Sequence, residues 1–336
     1  MEIVYRTFIP QFRAIIMSGM PEVNTSAIDM FVTHNAAKAA AFCTGIGVEI
    51  ENIERLANIS TCFGLLYWAD SLLDHGDVAL LQAISILDNS MESLHPAEPL
   101  VLARLAALQQ IKPYLLQCTR PEDVPFLLLH PFLEFLRHSV TLQQLSREYR
   151  HSVDPVFWHS ARSDFIKASI ISIQLPGTVA AVYALYRQQQ PALPSLKVLA
   201  SDARLMSPLE CLGNAALRIF DDVGDQNDDA ASDTFTLNLF NQAQTHPDLI
   251  PALLDAADIT DPPTVTRLIS AFSVNDPMGD AAVVATFVEL LRQQITSLPP
   301  VLWEHYGIYL RLAKRLIECG YVNCIGDSAL LENPIP

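Results

Sequence analysis

Apolar residues recur along this chain three and four positions apart, and no convincing run of alternating apolar and polar residues interrupts them. With only 12 glycines the chain is also poor in the turns that an all-β layout needs. The pattern predicts an all-α protein. Helices are expected over Ile3–Ser18, Ser26–Thr44, Asn52–Asp74 and Val78–Leu94. Leu100–Cys118 follows, with a kink at Pro113, and Pro121-Glu-Asp then opens a further helix, since proline and acids favour a first turn. Phe126–Glu148 runs from apolar to polar, as a helix leaving a core does, and Pro155 starts the next, through Ile173. Pro176-Gly177 breaks the pattern before Thr178–Arg187, and Gln188–Pro194 reads as a surface connection. Ser207-Pro208 combines a capping serine with proline at the first helical position, launching the helix that carries residues 209–229. Asp280–Leu298 and Val301–Cys319 close the series. No repeat or linker divides the chain, so one helical domain is expected over 1–325, with a tail at 326–336.

Two of these helices end in acid. In the helix ending at Asp74, Phe63, Tyr67, Asp70 and Asp74 share one face, an aromatic pair stacked below two carboxylates. In the later one, Asp221, Asp225 and Asp229 recur every fourth residue. Like charges at that spacing repel by about 0.2–0.5 kcal/mol a pair. Carboxylates near a helix C-terminus also oppose the macrodipole, by about 0.3–1 kcal/mol each. A single acidic run is most often a solvated face; two on apolar helices suggest a cation to neutralise them. Facing one another, they would make an oxygen-lined mouth for Mg²⁺, which in turn binds diphosphate. Asp77, just after Gly76, reads instead as a helix cap, and Asp222 and Asp228 fall off the shared face.

Charge and composition narrow the partners. The net charge of −16, from 21 basic and 37 acidic residues, argues against nucleic acid, whose phosphates need a basic surface. Half of the residues are hydrophobic, yet no apolar run reaches transmembrane length; Ile170–Tyr186 comes closest and is interrupted by Gln174, Pro176 and Gly177. The six cysteines form no CxxC pair and read as buried thiols of a reducing compartment. The first residues carry neither a basic segment nor a long apolar one, so the expected location is the cytoplasm. His151 and His159, with Pro155 between them, read as structural rather than as a metal pair.

Asp70-Ser-Leu-Leu-Asp74 resembles the first aspartate-rich motif of the all-α isoprenoid synthase superfamily, with serine where a second aspartate usually stands. Asp221-Asp-Val-Gly-Asp225 is similar to the second such motif of chain-elongating prenyl diphosphate synthases. Taken as residues 221, 225 and 229, the segment resembles the metal-binding triad of class I terpene synthases, with aspartate at the last two places. Phe165-Ile-Lys167 resembles the helix where prenyl synthases place a diphosphate-binding lysine. The resemblance implies an antiparallel helical bundle of the isoprenoid synthase type around a central apolar cavity. It implies three Mg²⁺ ions on Asp70, Asp74, Asp221, Asp225 and Asp229, gripping the diphosphate of one linear prenyl diphosphate. Lys167, Arg162, Arg218 and Arg311 are the candidates to complete the anion site, with Tyr306 and Tyr309 standing about where terpene synthases carry a C-terminal Arg–Tyr pair. Phe63, Tyr67 and Phe220 would offer ring faces to the allylic cation in a dry pocket.

Elongating synthases bind a second diphosphate through arginines just after the first motif. Here no arginine follows Asp74 before Arg104, which favours a cyclase acting on a single substrate. Two alternatives stay open: a prenyltransferase of the same fold, elongating or head-to-head, and a non-catalytic helical protein that binds metal or a partner. A monomer and a homodimer are both compatible with the sequence.

Overall fold

A helix whose apolar residues occupy one stripe must bury that stripe, and a helix apolar all round must lie inside. The first helix, α1 (Glu2–Gly19), is of the former kind, with Phe8, Phe12 and Ile16 buried on one side. The second, α2 (Ile53–Asp74), is of the latter: between Leu56 and Ala69 every side chain but Tyr67 is buried. The structure is a computed structural model that describes residues 2–30, 32–33, 53–74, 76–88, 98–151, 168–169, 171–214, 217–218, 289, 293 and 296–325. Of these, 83% are helical and none lies in a strand, so the described part of the chain is all-α.

Further helices among the described residues are α3 (Val78–Asp88), α4 (Pro99–Leu108), α5 (Ile111–Cys118), α6 (Val124–Leu127), α7 (Phe135–His151), α8 (Leu175–Gln189), α9 (Leu196–Ala200), α10 (Ala203–Pro208) and α11 (Pro300–Ile325). Two wider, π-helical stretches, Leu128–Glu134 and Leu209–Gly213, join α6 to α7 and follow α10. Each has a proline at hand, Pro131 within the first and Pro208 just before the second. A proline cannot donate to the carbonyl four residues back, and the widened turn absorbs the loss.

The chain forms two compact units, Met1–Val140 with Ala180–Lys197, and Thr141–Val179 with Val198–Pro336. All three boundaries fall inside helices (α7, α8 and α9), which is why no linker composition marks them. In the first unit α2 packs against α1, α5 and α3, while α4 packs on α1 and α3. The approach is close at Gly19, where an added Cβ would lie 2.8 Å from Ala107 of α4 and from the Trp68 ring of α2. Trp68 is fully buried and its indole N–H donates to the Met20 sulfur at 3.1 Å.

Several helix ends differ from the sequence pattern. The break expected at Pro113 falls at Gln109–Gln110 instead, placing Pro113 in the first turn of α5, where a missing N–H goes unnoticed. Pro121 lies in a turn, and α6 opens at Val124 with Pro125 in its first turn. Ser207 is not a cap: α10 begins at Ala203, and Asp202 caps it by accepting from the Arg204 N–H at 3.2 Å. Pro176 lies in the first turn of α8 rather than interrupting a helix, because the break sits two residues earlier at Gln174, whose φ is 50°. The helices Ser26–Thr44, Val78–Leu94, Pro155–Ile173 and Asp280–Leu298 are described only in part, and the tail 326–336 lies outside the described residues.

Asp123 shows how a buried charge is held in this unit. Its side chain is fully buried, and one oxygen caps α9 by accepting from the Leu196 N–H at 3.1 Å while the other takes the Arg187 guanidinium. Arg187 also donates to the Leu193 carbonyl at 3.2 Å, and Arg120 donates to the Arg187 carbonyl at 3.1 Å. Removing one member would strand the other. Arg187→Met is expected to cost roughly 3–5 kcal/mol in urea unfolding; a loss below about 1 kcal/mol would contradict the assignment.

His130, in the first π-helical stretch, meets Phe126 with ring centroids 4.3 Å apart and planes tilted by 35°, and burial lowers its pKa from the ordinary 6.5, partly opposed by Glu134. The unfolded chain therefore takes up the proton first as pH falls, and stability present above pH 6.5 is lost below it. His130→Gln should flatten the fall in urea midpoint between about pH 7 and pH 5 relative to the parent. An unchanged slope would rule His130 out as the source.

Candidate functional site

The expected site residues divide between the units. In the first, the burial of α2 opens along one line. Phe63 is buried at 3% exposure, Tyr67 is half-buried, and Asp70, Ser71 and Asp74 reach partial exposure at the helix end. Residues 63, 67, 70 and 74 share a helical face, so the carboxylates stand above the aromatic pair as the spacing predicts. Below them, Phe63 meets Phe132 with ring centroids 6.3 Å apart and planes tilted by 37°. Phe132 is 1% exposed and is carried by the π-helical stretch Leu128–Glu134.

Just past Asp74 the helix is stopped by a full C-terminal motif. The Gly76 N–H donates to the Leu73 carbonyl at 2.9 Å and the Asp77 N–H to the Leu72 carbonyl at 3.0 Å. Gly76 has φ 77°, a conformation that glycine adopts without strain. Asp77 then caps α3, accepting from the Leu80 N–H at 2.8 Å, as expected for an aspartate there. Its second oxygen takes two donors of Arg104, Nη2 at 3.0 Å and Nε at 3.3 Å.

In the second unit the described groups are tied to helix ends. Arg218 is buried; its Nε donates to the Ser169 carbonyl at 2.9 Å and its Nη2 to the Ser172 hydroxyl at 2.6 Å. Asn214 accepts from the Leu175 N–H at 2.7 Å, capping α8 beside the left-handed Gln174. The Ser169 hydroxyl is buried with no hydrogen-bond partner among the described residues. On α11 Tyr309 is 1% exposed and donates to the Pro176 carbonyl at 2.9 Å; burial holds its phenol protonated. Tyr306 is also buried, its pKa raised by burial and then by Asp202. Arg311 is exposed and lies back along its helix, so that a Cβ on Gly307 would stand 3.2 Å from its Nη1. Lys167, Arg162, Phe220, Asp221, Asp225 and Asp229 lie outside the described residues.

Sequence reasoning missed the roles of Arg104, Asp123, Asn214 and Phe132. Arg104 alone left a trace, as the only charge in the otherwise apolar run Pro99–Leu108. Asn214 and Asp123 bind backbone far away in sequence, which no local pattern reports.

Among the described residues no three His, Cys, Asp or Glu side chains come together to hold a metal ion. Asp70 and Asp74 offer hard oxygen donors one turn apart at partial exposure. Such a set suits Mg²⁺, which takes one or two carboxylates and completes its shell with phosphate oxygens and water. No helix among the described residues is long and apolar enough to cross a membrane. No protein-family model matches the chain, and no curated protein matches it in sequence.

Since only glycine holds φ near 77° cheaply, Gly76→Ala should lose about 1–2 kcal/mol by thermal or urea unfolding. A neutral result would mean that the turn after Asp74 is not left-handed.

Proposed function

We propose that this chain is a class I terpene synthase, ionising a single linear prenyl diphosphate and closing the resulting allylic cation into a hydrocarbon or terpene alcohol. The observation that carries the reading is the open line on α2, where Asp70 and Asp74 emerge above Tyr67 and Phe63 at the end of a helix whose middle, Leu56–Ala69, is otherwise buried. Asp70 and Asp74 would hold Mg²⁺ from one side, and Asp221, Asp225 and Asp229 are the ligands expected from the other. When bound, the metal supplies positive charge to the leaving diphosphate.

The protein's own groups supply the rest. Through the cation they hold, the two carboxylates would place the diphosphate at the end of α2, and the faces of Tyr67 and Phe63 would offer their quadrupole to a carbocation lying along the helix. Burial of Phe63 and Phe132, deeper along α2, would keep water from the apolar end of that path. Lys167, Arg162, Arg311 and Tyr306 remain candidates for the anion. Arg218 is left out, since its guanidinium is committed to Ser169 and Ser172. Arg104, the first arginine after Asp74, is likewise taken up by Asp77, Glu22 and Gly19 and is not placed to serve a second diphosphate. One substrate rather than two is the better account. Location in the cytoplasm fits this chemistry and is part of the proposal.

The test is incubation of the pure protein with farnesyl, geranylgeranyl and longer diphosphates, with Mg²⁺ and without isopentenyl diphosphate. Release of inorganic diphosphate with a cyclic product is expected. Asp70→Asn and Asp221→Asn should each lower turnover by on the order of 10²-fold or more at unchanged helical content. Turnover only when a second prenyl substrate is added would point to a prenyltransferase. A fully active double variant would overturn the site.

A further inference from the structure

Asp74 is the last residue of α2, and a helix end is where backbone geometry is weakest, because its final carbonyls have no partners within the helix. Two carboxylates in the last turn weaken it further by opposing the dipole. The end is nevertheless fixed, through a chain of contacts that leads away from the carboxylates. The Leu72 and Leu73 carbonyls are taken by the N–H groups of Asp77 and Gly76. Asp77 is in turn held at both oxygens, by the Leu80 N–H and by Arg104. Arg104 is 2% exposed; its Nη1 reaches the Gly19 carbonyl at the end of α1, and its Nη2, besides holding Asp77, reaches the Glu22 carboxylate at 2.6 Å. One buried guanidinium thus joins α1 and α4 to the turn between α2 and α3.

We propose that Arg104 and Asp77 are positioning residues for Asp74, acting as a clasp that holds the last turn of α2 in the geometry a divalent cation needs. This rests on the reading of Asp70 and Asp74 as metal ligands. Asp77 itself is not a ligand in this account, because both of its oxygens are already engaged. A planar fork is required: Arg104 spans Asp77, Glu22 and a carbonyl at once, which a lysine ammonium on a flexible stem does not reproduce. Glu22, whose side chain is 41% exposed, is the outer leg and leaves the turn intact when it is neutralised.

The test is Mn²⁺ binding to the full chain in the presence of inorganic diphosphate, followed by electron paramagnetic resonance well below the unfolding transition. Asp77→Ser keeps an N-cap acceptor for Leu80 but lets go of Arg104. It should weaken Mn²⁺ binding by about tenfold or more, the range seen when groups supporting metal ligands are removed. Arg104→Lys should weaken it in the same direction, whereas Glu22→Gln should leave it unchanged. Asp77→Asn, nearly isosteric and itself a good cap, should show a smaller loss and carries the test if the serine variant does not fold. A lowered unfolding temperature with unchanged Mn²⁺ affinity in the folded Asp77 variants would reduce the clasp to a structural tie and overturn the proposal. Failure of the parent protein to bind Mn²⁺ and diphosphate would instead remove the metal-site reading on which the clasp depends.

Discussion

The burial of α2 constrains everything around it. A helix with apolar or small side chains on every face has to be wrapped by its neighbours, and α1, α3 and α5 do this. Polar groups within it must then be spent locally: the Thr61 hydroxyl bonds the Ala57 carbonyl at 2.9 Å, and Asn58 donates to Gln117 of α5 at 3.0 Å. Charge is tolerated only where the helix comes to the surface, at Glu54 and Arg55 near its start and at Asp70 and Asp74 toward its last turn. That Asp70 and Asp74 occupy this turn, on the same face as Tyr67 and Phe63, links the packing of the unit to its proposed chemistry.

The acidic chain places three of its scarce cations inside. Arg104, Arg187 and Arg218 are all buried, and each donates to a main-chain carbonyl: Gly19, Leu193 and Ser169 respectively. Two of them also pair with a carboxylate that caps a separate helix, Asp77 for α3 and Asp123 for α9. A guanidinium can do this because it is weakly hydrated and offers donors in a fixed planar fork. Such knots locate helix ends in three dimensions while contributing little apolar area.

What could be read from the sequence was what is local. The course of α1, α2 and the body of α11 follows from apolar periodicity, and Gly76 with Asp77 announces the turn between α2 and α3 through the φ and capping that those residues favour. Prolines were the poorer guide. Pro113, Pro121, Pro176 and Ser207-Pro208 each lie within a few residues of a helix end, but proline fits a first turn, a turn or a widened helix equally, and packing chooses among them. The partial exposure of Asp70 and Asp74 on the face of Tyr67 and Phe63 was legible because both carboxylates and aromatics obey one helical period. The uses of Arg104, Asn214 and Arg218 were not, since each spans dozens of residues in sequence to reach a backbone atom.

The proposed function requires that the carboxylates closing α2 share a magnesium cluster with those of residues 221–229 around one diphosphate. Anomalous scattering from crystals grown with Mn²⁺ and inorganic diphosphate reads this directly. The account predicts metal peaks in contact with Asp70 or Asp74 and with Asp221, Asp225 or Asp229, bridged by the same diphosphate. Peaks confined to one of the two segments, or none at Asp70 and Asp74, would contradict it.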